Sequence, residues 1–398
     1  YAARGEVRFR STQLDYAIVF FIAAMILSLV FNSLYFNQEQ FGKALKTIGY
    51  CVIEWFLLFY IVVSIVRDTN RAKKLTAVLT ILISIVAVVG IIEYFAGFRF
   101  FEWLRQFIPG GELMKSNLHE RALQAGVYGV IRGGVERIVS TTISFQEVGT
   151  LMAMAIPMLF YFLAYSRKPA VRLLCMSGLA FATGALFLSV TRGAILAALV
   201  AVLFQSLLSR KLMLRSTIVI GAAVVIITFI LFPVLYDAIV SVASPDVLPQ
   251  EGTVQTRLDD WPEAGRIVKG HELFGIGVGQ VLGKQLAYGT EVETSFRFTD
   301  NYYLAAYVEM GLVGIAALAL IWFTIFLVLT RGRAREGGNG NTEARDLRAA
   351  LLSSAIAFMV TCVTFDALGF LTVSKTFWII VGLGFAVSMD ERIDLAGA

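Results

Sequence analysis

Long apolar runs joined by short basic connectors constrain this chain more than any other feature. They recur at about 14–32, 46–66, 75–96, 148–166, 171–190, 193–209, 216–236, 302–330, 349–368 and 374–389. A helix needs ~20 apolar residues to cross the hydrocarbon core of a bilayer. Only helices and closed barrels satisfy every backbone polar group there. With 58% hydrophobic and 16% charged residues, the chain has far more apolar surface than a soluble domain needs. The expected fold class is all-α, a polytopic transmembrane helical bundle of about ten spans. Residues 1–398 read as a single integral membrane domain. The chain starts at Tyr1 rather than at a methionine and shows no signal peptide, which leaves open whether further spans precede it.

The connectors alternate in charge. Arg67, Arg71, Lys73 and Lys74 form one basic cluster, and Arg167, Lys168 and Arg172 a second. Arg210, Lys211 and Arg215 form a third, and Arg331, Arg333, Arg335, Arg345 and Arg348 a fourth. With Arg4, Arg8 and Arg10 they fall on one side, which the positive-inside rule makes the cytoplasm. Arg192 stands alone in the apolar run 179–208. A charge at that depth costs roughly 2.5–3.5 kcal/mol on insertion scales and marks a functional-site candidate by default. An arginine at a helix end can also simply snorkel to the interface. Read as one helix, 179–208 would put the 167–172 and 210–215 clusters on opposite sides. Read as two helices turning at Thr191-Arg192-Gly193, both clusters stay inside and Arg192 lies at the outer face.

Two long segments then lie outside the membrane. Residues 97–147 open with FRFFEWLRQF, where Phe101, Leu104 and Ile108 recur at helical spacing beside Arg99, Glu102 and Arg105, as in an interfacial amphipathic helix. Residues 237–301 form the larger loop, segmented by Pro245, Pro249 and Pro262 and expected to contribute to the active site. The stretch 331–348 reads as a flexible, solvated cytoplasmic loop. Cys51, Cys175 and Cys362 fall in apolar runs and offer neither a disulfide frame nor a metal motif. His119 and His271 are far apart in sequence. No metal, cofactor or nucleic acid is expected. There is no clear internal repeat.

The outer loop carries Arg257, Arg266, Lys269, Lys284 and Arg297 beside Asp259, Asp260, Glu263, Glu291, Glu293 and Asp300. Arginines converging at an outer membrane surface suit a phosphate or pyrophosphate, because the guanidinium fork binds its oxygens in pairs. Three stretches carry a resemblance: TRGA at Arg192, TRLDDWPEAGRIVKGHELFGIGVGQ with Arg257 and its glycine loop, and DNYYLAAYVEMGLVG from Asp300 to Gly314. In this order they resemble the O-antigen ligase and Wzy-type polymerase superfamily, over roughly residues 188–315. Upstream, ERIVSTTISFQEVGTLMAMAIP is weakly similar to the segment that precedes a central span in that family.

The resemblance implies an integral, metal-independent glycosyltransferase that uses undecaprenyl-pyrophosphate-linked glycans on the outer face of the bacterial inner membrane. Arg192 and Arg257 match the family's pyrophosphate-binding arginines. Asp300 occupies the position of the ligases' catalytic histidine. An exposed aspartate, with a pKa near ~3.9, is a weak base unless its site raises that value, and aspartate here fits polymerase-like members better.

Plainer roles stand beside each functional one. Asp300 is also placed to cap the helix that starts near Tyr302. Glu309, in a span six residues after Tyr303, either positions the site or satisfies a buried arginine or backbone group. GIGVG, 275–279, lacks the strand-and-helix frame of a nucleotide loop and reads as a close-packed turn. Arg137 and Glu147 flank the outer end of the fourth span, where they could contact donor or acceptor sugar. Arg266, Asn301 and Tyr303 are further supporting candidates. Glu54 and Asp366 read as interior polar contacts.

Together these features point to a polysaccharide polymerase acting on O-antigen, capsule or exopolysaccharide repeat units. Arg192, Arg257 and Asp300 are its catalytic candidates. The expected partners are an undecaprenyl-pyrophosphate-linked glycan, an acceptor glycan or lipid, membrane lipids and a chain-length regulator protein. A ligase that moves the glycan to lipid A core or another surface acceptor is one alternative. A transporter or flippase of lipid-linked sugars is the other, and it would show internal repeats, broken spans and midplane charges.

Overall fold

The structure is a computed structural model. It describes residues 9–98, 100, 103, 107, 131–132, 135–209, 221, 253–281, 301–331 and 342–396. The regular elements among the described residues are helices apart from a two-residue ladder, Ile131–Arg132 with Val135–Glu136. Among them, seven helices are long and apolar enough to cross a membrane, and Arg192–Leu208 is a shorter apolar helix. Every expected span except 216–236 falls on a helix; that one lies outside the described residues, apart from residue 221. So does most of the expected interfacial helix after residue 97. The molecule is a multi-pass helical membrane protein, and its chain divides into two compact units.

One unit comprises Tyr1–Arg67, Leu248–Arg331 and Cys362–Ala386. Its helices are α1 (Asp15–Asn32), α2 (Gln38–Tyr50), α3 (Leu58–Ile65), α8 (Thr253–Ile267), α9 (Tyr302–Arg331) and α11 (Leu371–Ala396), the last of which begins here. A π-helical stretch, Cys51–Leu57, joins α2 to α3. A capping box starts α2: the Asn37 side chain accepts from Gln40 N at 2.8 Å, and Gln40 Oε1 accepts from Asn37 N at 3.0 Å. Helices α1 and α8 both pack on α9. The core gathers aromatic rings, with Trp55, Phe56, Phe59 and Phe377 around Trp378.

The other unit comprises Asp68–Val247, Gly332–Thr361 and Val387–Ala398. It holds α4 (Thr69–Ala96), α5 (Phe145–Tyr165), α6 (Pro169–Leu188), α7 (Arg192–Leu208) and α10 (Thr342–Thr361). Helix α4 starts on the Asp68 cap and ends at Gly97, whose positive φ of 66° closes the last turn. Helices α5 and α10 are buried almost all round and pack on each other; α5 is largely apolar, while α10 also buries charges in its first turns. Ser354 Oγ ties them, donating to Met154 O at 2.7 Å. Helices α4, α6 and α7 pack on α5.

Two sequence expectations change here. The run 349–368 was placed too late: α10 is 342–361, and residues 362–370 leave the helix through a short 3-10 turn. The flexible loop expected at 331–348 therefore gives way to helix from Thr342. Arg345, Asp346 and Arg348 are buried rather than solvated. Partners explain the burial of Arg345 and Asp346. Tyr165 Oη donates to Asp346 at 2.8 Å, Arg345 donates to Leu208 O at 3.4 Å, and Glu343 pairs with Lys73. A buried charge is tolerated when paired and hydrogen-bonded. A string of charges does not reveal such partners by itself.

Candidate functional site

The run 179–208 is two helices, as the charge alternation predicts. Helix α6 ends at Leu188 and α7 starts at Arg192. Between them Val190 adopts a φ of +49°, a strained conformation for a β-branched residue. Its surroundings hold it there. Val190 N donates to Phe187 O at 2.8 Å, and Val190 O accepts from Arg137 Nη2 at 3.3 Å. Thr191 Oγ1 reaches Phe145 O at 3.5 Å and Ser189 O at 3.1 Å. Ile138 N donates to Leu188 O at 3.4 Å. The α5 face that receives the turn is a glycine: a Cβ on Gly149 would stand 2.9 Å from both Ser189 Oγ and Ala194 Cβ. Arg192 is thus a half-buried cation in the first helical position, where the helix macrodipole favours an anion.

Arg137 and Glu147 belong to this turn. Arg137 is buried, with its guanidinium carbon 3.9 Å from the Phe145 ring centroid. Glu147 is fully buried in the first turn of α5, and its Oε2 accepts from Ile143 N at 2.9 Å. Both fix the segments that carry the turn. Glu93, which the sequence reading passed over, joins them: its Oε1 accepts from Val139 N at 3.1 Å. A lone acid near the end of an apolar run has no partner visible in sequence, so nothing there could have singled it out.

In the other unit, Asn301, Tyr303 and Glu309 sit on or before α9. Asn301 Oδ1 accepts from Tyr303 N at 3.0 Å and Leu304 N at 3.2 Å, and Tyr302 N donates to Cys362 O at 2.9 Å. The helix start is therefore capped by Asn301. Asp300, expected either to cap or to catalyse, lies outside the described residues. Tyr303 is half-buried near Trp322.

Glu309 is a hub in an unusual helix. At Gly311 (φ 63°, ψ −157°) the α9 ladder breaks. Val308 O and Glu309 O accept instead from Ile276 N at 2.9 Å and Gly277 N at 3.1 Å. Leu312 N and Val313 N donate to Glu272 O at 2.8 Å and Leu273 O at 3.2 Å. Two helical hydrogen bonds are replaced by four to the segment 272–277. Ser28 Oγ adds a bond to Glu309 O at 2.6 Å, and Asn32 Nδ2 one to Gly275 O at 3.0 Å. The Glu309 carboxylate accepts from Val281 N at 3.3 Å and from the Gly279 backbone. Of the roles open to it, the structure shows the one that satisfies backbone groups. GIGVG is the close-packed turn its sequence suggests: a Cβ on Gly275 would lie 2.4 Å from Glu309 C.

Arg257 falls on α8, with its side chain outside the described residues. Arg266 is exposed and paired with Glu263 one turn earlier, an interaction worth little at a surface. Glu54, left without a partner in sequence, pairs with Lys375. Among the described residues no group of three or more histidines, cysteines or acids could hold a metal ion.

Residues 177–319 match a family model described as O-antigen ligase. No curated protein matches the chain. The matched segment includes Arg192, Arg257, Arg266, Asp300, Asn301, Tyr303 and Glu309, while Arg137 and Glu147 lie before it. The match supports the O-antigen ligase and Wzy-type superfamily that the motifs resemble, whose members are glycosyltransferase-like enzymes acting at membranes.

Proposed function

We propose that the protein is a polymerase of lipid-linked polysaccharide repeat units. A growing glycan on undecaprenyl pyrophosphate is the donor, and the non-reducing sugar of another lipid-linked unit is the acceptor. The acceptor hydroxyl attacks the anomeric carbon and the lipid pyrophosphate leaves, so a single displacement inverts the anomeric configuration. Arg192 and Arg257 stabilise the charge developing on the leaving group, where fixed cations lower a barrier most. Asp300 orients or deprotonates the acceptor hydroxyl. The observation that carries the reading is Arg192 on its built turn. The cation heads a helix on a strained backbone held by Arg137, Phe145 and Gly149, within the segment that matches the family.

The site is placed on the extracytoplasmic face of the bacterial inner membrane, with segments 97–147 and 237–301 outside. Cysteines introduced at 70, 169, 212 and 338 should resist an impermeant thiol reagent in intact cells, and those at 118 and 285 should react. Labelling at 212 but not at 285 would overturn this placement.

The family match favours a ligase equally, with transfer to lipid A core or another surface acceptor. One experiment separates the readings: purified protein receives a lipid-linked repeat unit alone. Chain lengthening supports the polymerase. Product only after a second acceptor is added makes it a ligase. Movement of the lipid across a vesicle bilayer without chemistry makes it a transporter.

A further inference from the structure

We infer that Glu93 is a positioning residue for the Arg192 turn; the inference rests on the donor-binding role given to Arg192 above. Glu93 is in the last turn of α4, where the negative end of the macrodipole disfavours a carboxylate. It is also buried, at 6% exposure. Neither helix stability nor solvation explains an acid there. Its contacts do. Oε1 accepts from Val139 N at 3.1 Å, and Oε2 accepts from Phe100 N at 3.3 Å. The carboxylate joins two stretches of backbone that are 39 residues apart, 139 minus 100.

The stripe around Glu93 is shaped for the same segment. Val86, Gly90 and Glu93 follow one another on one α4 face. Ser140 Oγ donates to Val86 O at 2.7 Å. A Cβ on Gly90 would come 2.9 Å from Ile138 Cδ1 and 3.2 Å from Ser140 Cβ. Residues 138–140 thus lie pressed on α4, fixed by Glu93 at Val139. From that anchored segment Ile138 N reaches Leu188 O and Arg137 reaches Val190 O, two residues that lead into Thr191 and Arg192. The path from Glu93 to the turn is covalent or hydrogen-bonded at every step. A second line of contact runs outward through Phe100 to Trp103 and Phe107, whose rings pack in sequence and are exposed. Exposed aromatics of this kind suit a membrane interface. Glu93 therefore ties an exposed aromatic segment to the stretch that sets the arginine turn.

The test uses the full chain in lipid nanodiscs with undecaprenyl pyrophosphate as the probe. Binding is measured for wild type, Glu93→Ala, Glu93→Gln and Arg192→Ala. Amide exchange at Phe100 and Val139 is followed in parallel. Glu93→Ala should weaken binding about tenfold to a hundredfold, as expected for a displaced binding group, with faster exchange at both amides. Glu93→Gln keeps one acceptor oxygen and should recover binding to within about threefold of wild type. Wild-type binding in Glu93→Ala beside weak binding in Arg192→Ala would overturn the inference. So would equal losses in Ala and Gln that track a lowered melting temperature. If Arg192→Ala itself binds as wild type, the donor role of Arg192 fails and this inference goes with it. Should Glu93→Ala not fold, Glu93→Gln decides: slower exchange at one amide than the other with near-normal binding supports the role, and loss of binding equal to Arg192→Ala overturns it.

Discussion

Two of the apolar runs among the described residues break by different means. Between α6 and α7 the break is made at a non-glycine residue: Val190 is forced to positive φ, and the Arg137 side chain with the backbone of Ile138 and Phe145 holds the turn. Within α9 the break is made by Gly311, and a backbone strap, 272–277, takes over the freed hydrogen bonds. The first arrangement sets a charged side chain at a helix start. The second joins a loop to a helix and turns its acid, Glu309, onto the loop's own backbone. A strained non-glycine residue costs about 1–3 kcal/mol and is a candidate mark of function, whereas glycine takes the left-handed region without that steric cost.

The comparison breaks most severely if Gly311 is altered. A Cβ there would stand 2.4 Å from Leu273 C and 2.5 Å from Glu272 O. Gly311→Ala should cost about 2–6 kcal/mol, from about 1–3 for overpacking and about 1–3 for positive φ. The expected outcome is loss of folded protein from the membrane, read by protease resistance and melting in detergent. Gly275→Ala, on the opposite side of the strap, should fail in the same way. A well-folded Gly311→Ala would mean that the strap is dispensable.

Arg192 should behave in the opposite manner. Arg192→Ala should abolish product while leaving folded protein in the membrane, because Arg137, Ile138 and Thr191 also hold the turn. Arg192→Lys should restore only part of the activity, since an ammonium lacks the planar fork. Near-normal turnover in Arg192→Ala would remove the residue from the site. Arg257→Ala should likewise lose product.

The next effect is smaller and separates two adjacent residues. Asn301 carries the α9 cap, so Asn301→Ala should cost about 0.5–2 kcal/mol of stability. Asp300→Asn should leave melting unchanged and remove most turnover if Asp300 takes the acceptor proton. A base with a raised pKa should also lose activity as pH falls through that pKa. An Asp300→Asn enzyme with wild-type turnover from pH 5 to 8 would end the catalytic assignment.

These cases show why some features were legible in sequence and others were not. Spans are legible because ~20 apolar residues leave few alternatives. The break at Arg192 is legible because basic clusters on both sides must share a face. Gly311 is different: glycine two turns into an apolar run fits close helix packing as well as a break. The start of α10 is not legible because Asp346 and Arg345 look solvated until Tyr165 and Leu208 are seen beside them. Asn301 and Asp300 are both good caps, so sequence alone could not divide the work between them. Glu93 gave no periodic signal at all; its meaning lies in two backbone amides distant along the chain.

The smallest expected effect is the most discriminating for the strained turn. Val190 is fully buried, so Val190→Gly loses about 1.5–3 kcal/mol of apolar burial. It also relieves the positive φ, which returns about 1–3 kcal/mol, while the added freedom of glycine in the unfolded chain removes about 0.5–1 kcal/mol. The terms nearly cancel, and melting should move by only a few degrees. Turnover should fall severalfold, because a glycine at 190 lets the start of α7 sample orientations in which Arg192 no longer meets the leaving group. Val190→Ala is the partner measurement: it keeps the strain, loses less side chain and should retain more activity. If Val190→Gly matches wild type in turnover, the strained backbone is only a packing compromise, and the two breaks differ in construction but not in purpose.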